Sequence, residues 1–218
     1  MGASPSHDPE ETYSTISPSS EVVPPATFSS QAMLQQAKAD LKHSDAKVRI
    51  LAIQYLGKVD SSIALPLLQE MVPDRDPGVR VQALSSLMRL KDPPVGALLK
   101  KCLRDRDPQV RVAALRGMFK RRERIDLNLL LQLLSDESPR VRRKLATLLG
   151  WGQREGVLPI LTELSKDQDA QVRQAALVSL TTLYPEESED RLLKAMNDSD
   201  PGLRKWAIAA LEKRATGP

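Results

Sequence analysis

The stretch Asp76-Pro77-Gly78-Val79-Arg80-Val81-Gln82-Ala83-Leu84-Ser85-Ser86-Leu87 returns one unit later as Asp107-Pro108-Gln109-Val110-Arg111-Val112-Ala113-Ala114-Leu115-Arg116-Gly117-Met118. The dipeptide Val-Arg stands at 48, 79, 110, 141 and 172, and Leu203-Arg204 continues the series at the same step of 31 residues. Self-similarity at such a period marks an array of stacked supersecondary units.

Taking the valine (or Leu203) as position zero, three residues earlier stand Asp45, Asp76, Asp107, Ser138, Asp169 and Asp200. All are side chains that accept hydrogen bonds from the free N–H groups of a starting helix. Pro77, Pro108, Pro139 and Pro201 follow, at the first helical position, where a missing N–H costs nothing. Downstream, apolar residues occupy positions +4, +5 and +8, as in Ala83, Leu84 and Leu87, and define one buried helical face. Upstream, Ala37, Leu68, Leu99, Leu130, Leu161 and Leu192 mark a second helix in each unit. Pro66 and Pro159 are expected in the first turns of two of these helices, where proline is tolerated. Short acidic turns such as Asp74-Arg75-Asp76 join the pair. Arg at +1 is expected to bridge to an Asp of the neighbouring unit, so that Arg49, Arg80, Arg111, Arg142, Arg173 and Arg204 form a ladder. One such hairpin is too small to bury its own apolar face; stacking supplies the core.

The Asp-Pro-x-Val-Arg turn with its Ala-Leu-x-x-Leu helix resembles HEAT repeats, and the 31-residue unit is similar to the short HEAT-like repeat named after phycobilisome lyases. The resemblance spans roughly residues 31–214. It implies an all-α, armadillo-like α-solenoid of six two-helix repeats, with the second helix of each lining the concave side.

Residues 1–30 form a separate region. They hold five of the sixteen prolines, many Ser and Thr, four acidic residues and no Lys or Arg. That composition predicts a disordered tail. With a net charge of +4 for the chain and −4 for the tail, the array carries +8. Met1-Gly2-Ala3-Ser4-Pro5-Ser6 matches the loose myristoylation pattern but lacks a polybasic second anchor. No membrane span or secretory signal is read, and the single cysteine, Cys102, excludes an internal disulfide, so a cytoplasmic setting is expected. Cys102 falls in an apolar run and reads as a small buried hydrophobe.

No catalytic constellation is evident. The two histidines are His7, in the tail, and His43, in the turn slot that Asp74, Asp105, Asp136, Asp167 and Asp198 fill elsewhere. There is no Cys/His set with metal spacing, no recurring His-Glu pair, no Gly-rich phosphate loop and no serine elbow. The regularity of the turn aspartates points to capping and bridging, since a functional site rarely recurs six times. No catalytic residue, metal or cofactor is expected.

The second helices should expose positions +2, +3, +6 and +10. Those positions hold Lys58, Arg89, Arg116, Lys120, Arg143, Lys144, Lys205 and Lys213, together with both tryptophans, Trp151 and Trp206. Trp and Arg dominate interface energetics. Six units at roughly 8–10 Å each give a groove on the order of 50 Å. The first reading is a non-catalytic scaffold or adaptor whose basic, Trp-containing groove (Arg89, Arg116, Lys120, Arg143, Lys144, Trp151, Lys205, Trp206, Lys213) grips a protein partner with an acidic segment. The second is nucleic-acid binding, with phosphates on the cations and bases on the rings. The third follows from the resemblance: a bilin lyase subunit or phycobilisome-handling protein, with tetrapyrrole propionates on Arg or Lys. The alternative to all three is that the long basic side chains merely solvate a helix face.

Overall fold

A computed structural model describes residues 30–90, 94–122, 125, 127–151 and 156–216; the acidic Pro/Ser-rich tail lies outside them. Among the described residues there are twelve helices: α1 (Ser30–Asp40), α2 (Ala46–Leu56), α3 (Ser61–Glu70), α4 (Pro77–Leu87), α5 (Gly96–Cys102), α6 (Pro108–Lys120), α7 (Leu127–Leu134), α8 (Pro139–Leu149), α9 (Val157–Leu164), α10 (Ala170–Leu183), α11 (Pro185–Ala195) and α12 (Pro201–Ala215). The even-numbered helices stack in chain order, each on the next, and each odd-numbered helix packs against its own even-numbered partner. The result is an α-solenoid of six helical hairpins.

Local chemistry sets the helix starts. Asp45, Asp76, Asp107, Asp169 and Asp200 cap α2, α4, α6, α10 and α12 through their side chains. Ser138 caps α8 by position only, with no side-chain hydrogen bond; its own N–H donates to Asp136 instead. The four expected N1 prolines are in place. Pro66 is not in a first turn: α3 starts at Ser61, because Asp60 accepts from the N–H of Ser62, and Pro66 sits inside the helix. Pro159 is the third residue of α9, within the first turn as expected.

One core runs the length of the stack. The +5 residues Ile53, Leu84, Leu115, Ala146 and Leu177 are all buried, as are Leu56, Leu87, Met118, Leu149 and Leu180 at +8. At three of the five interfaces between neighbouring even helices, a +9 residue of one unit meets a +7 residue of the next with glycine as one member: Gly57 against Ser86, Gly117 against Met88, and Gly150 against Ser179. The buried hydroxyls of Ser86 and Ser179 donate to the Ile53 and Ala146 carbonyls of the preceding unit, so close approach leaves no polar group stranded. Cys102 is buried, and burial followed by the nearby Asp105 charge pushes its thiol up to about 11.

Candidate functional site: the ladder edge and the second-helix face

Two charged surfaces recur along the stack, the turn edge and the second-helix face, and the turn edge is spent on the fold. Along the turn edge, the expected ladder exists. Arg49 Nε and Nη2 donate to the two carboxylate oxygens of Asp74 at 2.9 and 2.8 Å, while its Nη1 donates to the carbonyls of His43 and Ser44 in its own turn. Arg80 repeats this with Asp105, Arg111 with Asp136, Arg142 with Asp167 and Arg173 with Asp198. Each aspartate also accepts the N–H two residues on, which shapes the turn before the next helix. A bidentate, part-buried pair whose Nη1 is also held by two carbonyls of its own turn is the geometry in which a desolvated ion pair is retained. Arg204, expected as a sixth rung, bonds the carbonyls of Asp198 and Ser199 in its own turn but meets no carboxylate among the described residues. His43, in the first aspartate slot, does the turn-shaping alone: its Nδ1 accepts from the N–H of Asp45.

The other surface is the outward face of the even helices. Positions +6 and +10 are its crest: Arg89, Arg116, Lys120, Lys58 and Lys213 are exposed or partly so, and Trp151 is 75% exposed. Positions +2 and +3 are flanked by neighbouring units and give a mixed result. Arg143 and Lys205 are exposed, but Lys144 is half-buried, and so is Trp206, which packs against the core. The two tryptophans therefore differ in setting: Trp206, at +3, packs against the core, whereas Trp151, at +10, stands out in solvent.

Lys144 lies among cations. Burial, followed by the charges of Arg116, Arg143 and Arg140, pulls its ammonium below the ordinary lysine range. Among the described residues none of these four meets a carboxylate; Arg143 has Gln171 as its hydrogen-bond partner. Beside them a shallow groove of about 460 Å³ opens between α8 and α10, with Arg143, Thr147 and Trp151 on one wall and Gln171, Gln174, Val178 and Thr182 on the other. These residues of the fifth repeat escape a charge-based reading because they are neutral, although Gln174, Val178 and Thr182 occupy the same +2, +6 and +10 positions as the wall opposite. Lys120 reaches back to the Met88 carbonyl, and Lys205 lies apart on α12 beside Arg204 and Ile208. Among the described residues no group of His, Cys, Asp and Glu could hold a metal ion, and no helix is long and apolar enough to cross a membrane.

HEAT repeats as a family match residues 32–118, 97–181 and 163–218. The chain belongs to the HEAT-repeat family. Among curated proteins nothing matches it. Solved structures similar to this HEAT-repeat chain include the complex of CpcE and CpcF of phycocyanin lyase from Nostoc sp. PCC7120, at 21% identity over 91% of this chain and 81% of that one, TM-score 0.56. A designed armadillo repeat protein in complex with the peptide (KR)4 is 19% identical over 82% of this chain and 98% of its own, TM-score 0.53. An engineered protein from a structural genomics consortium is 19% identical over 84% and 99%, TM-score 0.52. At these identities the likeness is one of fold, since a repeat architecture serves many unrelated tasks.

Proposed function

We propose that this HEAT-repeat chain is a non-catalytic, cytoplasmic binding module that holds an acidic segment of a partner protein along the face of its even helices. One observation carries the reading: α2, α4, α6, α8 and α10 contain no Asp or Glu at all. Among the described residues, the carboxylates of those units lie in turns or on odd helices, and the turn aspartates serve as caps and rungs. Arg89, Arg116, Lys120, Arg143 and Lys144 thus form, among the described residues, a cationic face with no carboxylate on the helices that carry it, and Trp151 provides a rigid aromatic anchor beside it. At the far end Lys205, Trp206 and Lys213 extend the face, where Glu212 is the first acid on an even helix. A partner carboxylate near Lys144 offsets the repulsion of its three neighbouring arginines, a gain available only on binding. The designed armadillo protein of similar fold was solved with a basic peptide; the polarity here suits the opposite sign.

A second reading, single-stranded nucleic acid, draws on the exposed Trp151 ring beside Arg143, since bases stack on aromatic rings within cationic grooves. Fluorescence anisotropy separates the two, with a labelled octaglutamate peptide and a labelled octadeoxythymidylate titrated at several salt concentrations. The peptide should bind the wild-type chain and lose about tenfold, roughly 1.4 kcal/mol, in the Arg116→Ala/Lys144→Ala/Trp151→Ala variant. Tighter binding of the oligonucleotide, with a steeper salt slope, puts the second reading first. Peptide affinity unchanged in the variant removes the site assignment.

A further inference from the structure

A second concentration of cations lies on the odd helices. A groove of about 1060 Å³ runs along α5, from the end of α3 to α7 and over the turns that follow α3 and α5. The carboxylates that line it, Asp74 and Asp105, are already held as rungs by Arg49 and Arg80. Arg75, Lys100, Lys101, Arg104 and Arg106 line it as well, and none of these five meets a carboxylate among the described residues.

The repeat does not account for these charges. Lys100, Lys101, Arg104 and Arg106 fill positions −10, −9, −6 and −4 of the third unit. The second unit has Gln69, Glu70, Pro73 and Arg75 there, and the fourth has Leu131, Gln132, Ser135 and Glu137. The fold thus requires no charge at these positions, and only the third unit is cationic at all four. Main chain positions two of the five. Arg75 donates through Nη2 to the Ser44 carbonyl at 3.0 Å, and Arg106 donates likewise to the Arg75 carbonyl at 3.3 Å. Among the described residues the other donors of both guanidinium groups are unused, so each fork is oriented before a ligand arrives.

We propose that this groove binds a compact polyol carrying several phosphate groups. Guanidinium forks and ammonium groups both pair with phosphate oxygens, and five of them around one concavity match an anion of high charge density. Gln69, Asn128 and Gln132 supply neutral partners for free hydroxyls. Among the described residues no aromatic ring lines the groove, which leaves a nucleotide base nothing to stack on. The volume is that of a small-molecule site, at the upper end of a range that reaches roughly 1,000 Å³. A soluble molecule and a lipid headgroup present the same chemistry. No residue of the even-helix face lines the groove, so the site stands or falls apart from the function proposed above.

Calorimetric titration of the full chain with inositol hexakisphosphate tests the site, and flotation with phosphatidylcholine vesicles containing phosphatidylinositol bisphosphate tells the two sources apart. Saturable binding of the soluble probe is expected. Lys101→Gln/Arg104→Gln removes two charges whose side chains hold no hydrogen bond among the described residues. It should weaken binding by about tenfold or more, whereas Arg116→Gln/Lys120→Gln on the even-helix face should leave it within about twofold. Thermal melts check that both variants fold. Equal losses in the two variants are what diffuse attraction to a basic array gives, and they overturn the proposal. So does a chain that shows no saturable binding, or one that binds citrate as tightly as the phosphate probe. Flotation that is lost in K101Q/R104Q assigns the lipid headgroup as the source, and binding of the soluble probe without flotation assigns the free molecule.

Discussion

Gly150 at the C-terminus of α8 and Ser179 on α10 approach so closely that a β-carbon on the glycine would lie 2.3 Å from the serine Oγ and 3.2 Å from its Cα. No rotamer of Ser179 relieves the second distance, because it is backbone. Gly150→Ala should therefore push α8 and α10 apart and destabilise the fold by about 1–3 kcal/mol. Gly202→Ala, where the nearest atom is the Asp200 carboxylate at 3.1 Å, should be close to neutral. Urea unfolding of both variants reads the difference, and equal losses would show that the close approach is not the cause.

The ladder gives an acid limb to stability. Asp167 is buried, which works against its charge, but the hydrogen bonds from Arg142 and the Asp169 N–H and the charges of Arg142 and Arg173 hold it below the usual value of 3.8. Asp198 is held low chiefly by its hydrogen bond from Arg173. A carboxyl whose folded pKa is depressed contributes stability above its unfolded value and loses it as pH falls through the folded one. Stability should thus be level from neutral pH down to about 4 and drop below it. Asp167→Asn should lower the plateau and flatten the drop, which a series of urea midpoints against pH resolves.

Truncating an arginine of the ladder should cost more than its charge suggests. Arg142→Ala leaves Asp167, whose side chain is 8% exposed, without its fork, and breaking a buried pair in this way costs about 3–5 kcal/mol. Arg204→Ala, with no carboxylate among the described residues to strand, should cost less than half as much in the same unfolding experiment.

Arg122 follows α6 with φ of 53°, the left-handed conformation that glycine adopts freely after a helix. Arg122→Gly should stabilise the chain by up to roughly 1 kcal/mol by relieving that strain. A lowered urea midpoint would mean that the arginine side chain contributes more than the backbone costs.

Cys102 should be inert in the folded chain. Its thiol is buried and raised to about 11, so thiolate is scarce at neutral pH. Its reaction with a disulfide reagent in native buffer should be far slower than after unfolding in urea.

Most of the fold is legible in the 31-residue period, because the signals that set it are local. Asp-Pro at a helix start and apolar residues at 0, +4, +5 and +8 act within one hairpin. The rungs are predictable in kind, since an Arg and an Asp recur in phase. Three features depend on geometry that the period does not carry. Pro66 is internal because Asp60 starts α3 early. Trp206 is half-covered because it packs against the core, while Trp151 at +10 stands free. Arg204 bonds its own turn as its five counterparts do, yet meets no carboxylate among the described residues.

Every rung joins residues 25 apart in the chain, whichever units they bridge. Excising any whole period between the first and last rungs therefore returns an arginine to an aspartate at the same separation, and duplicating one does likewise. Length in this molecule is a count that can change by recombination in whole steps, with the seam repaired by contacts the chain already encodes.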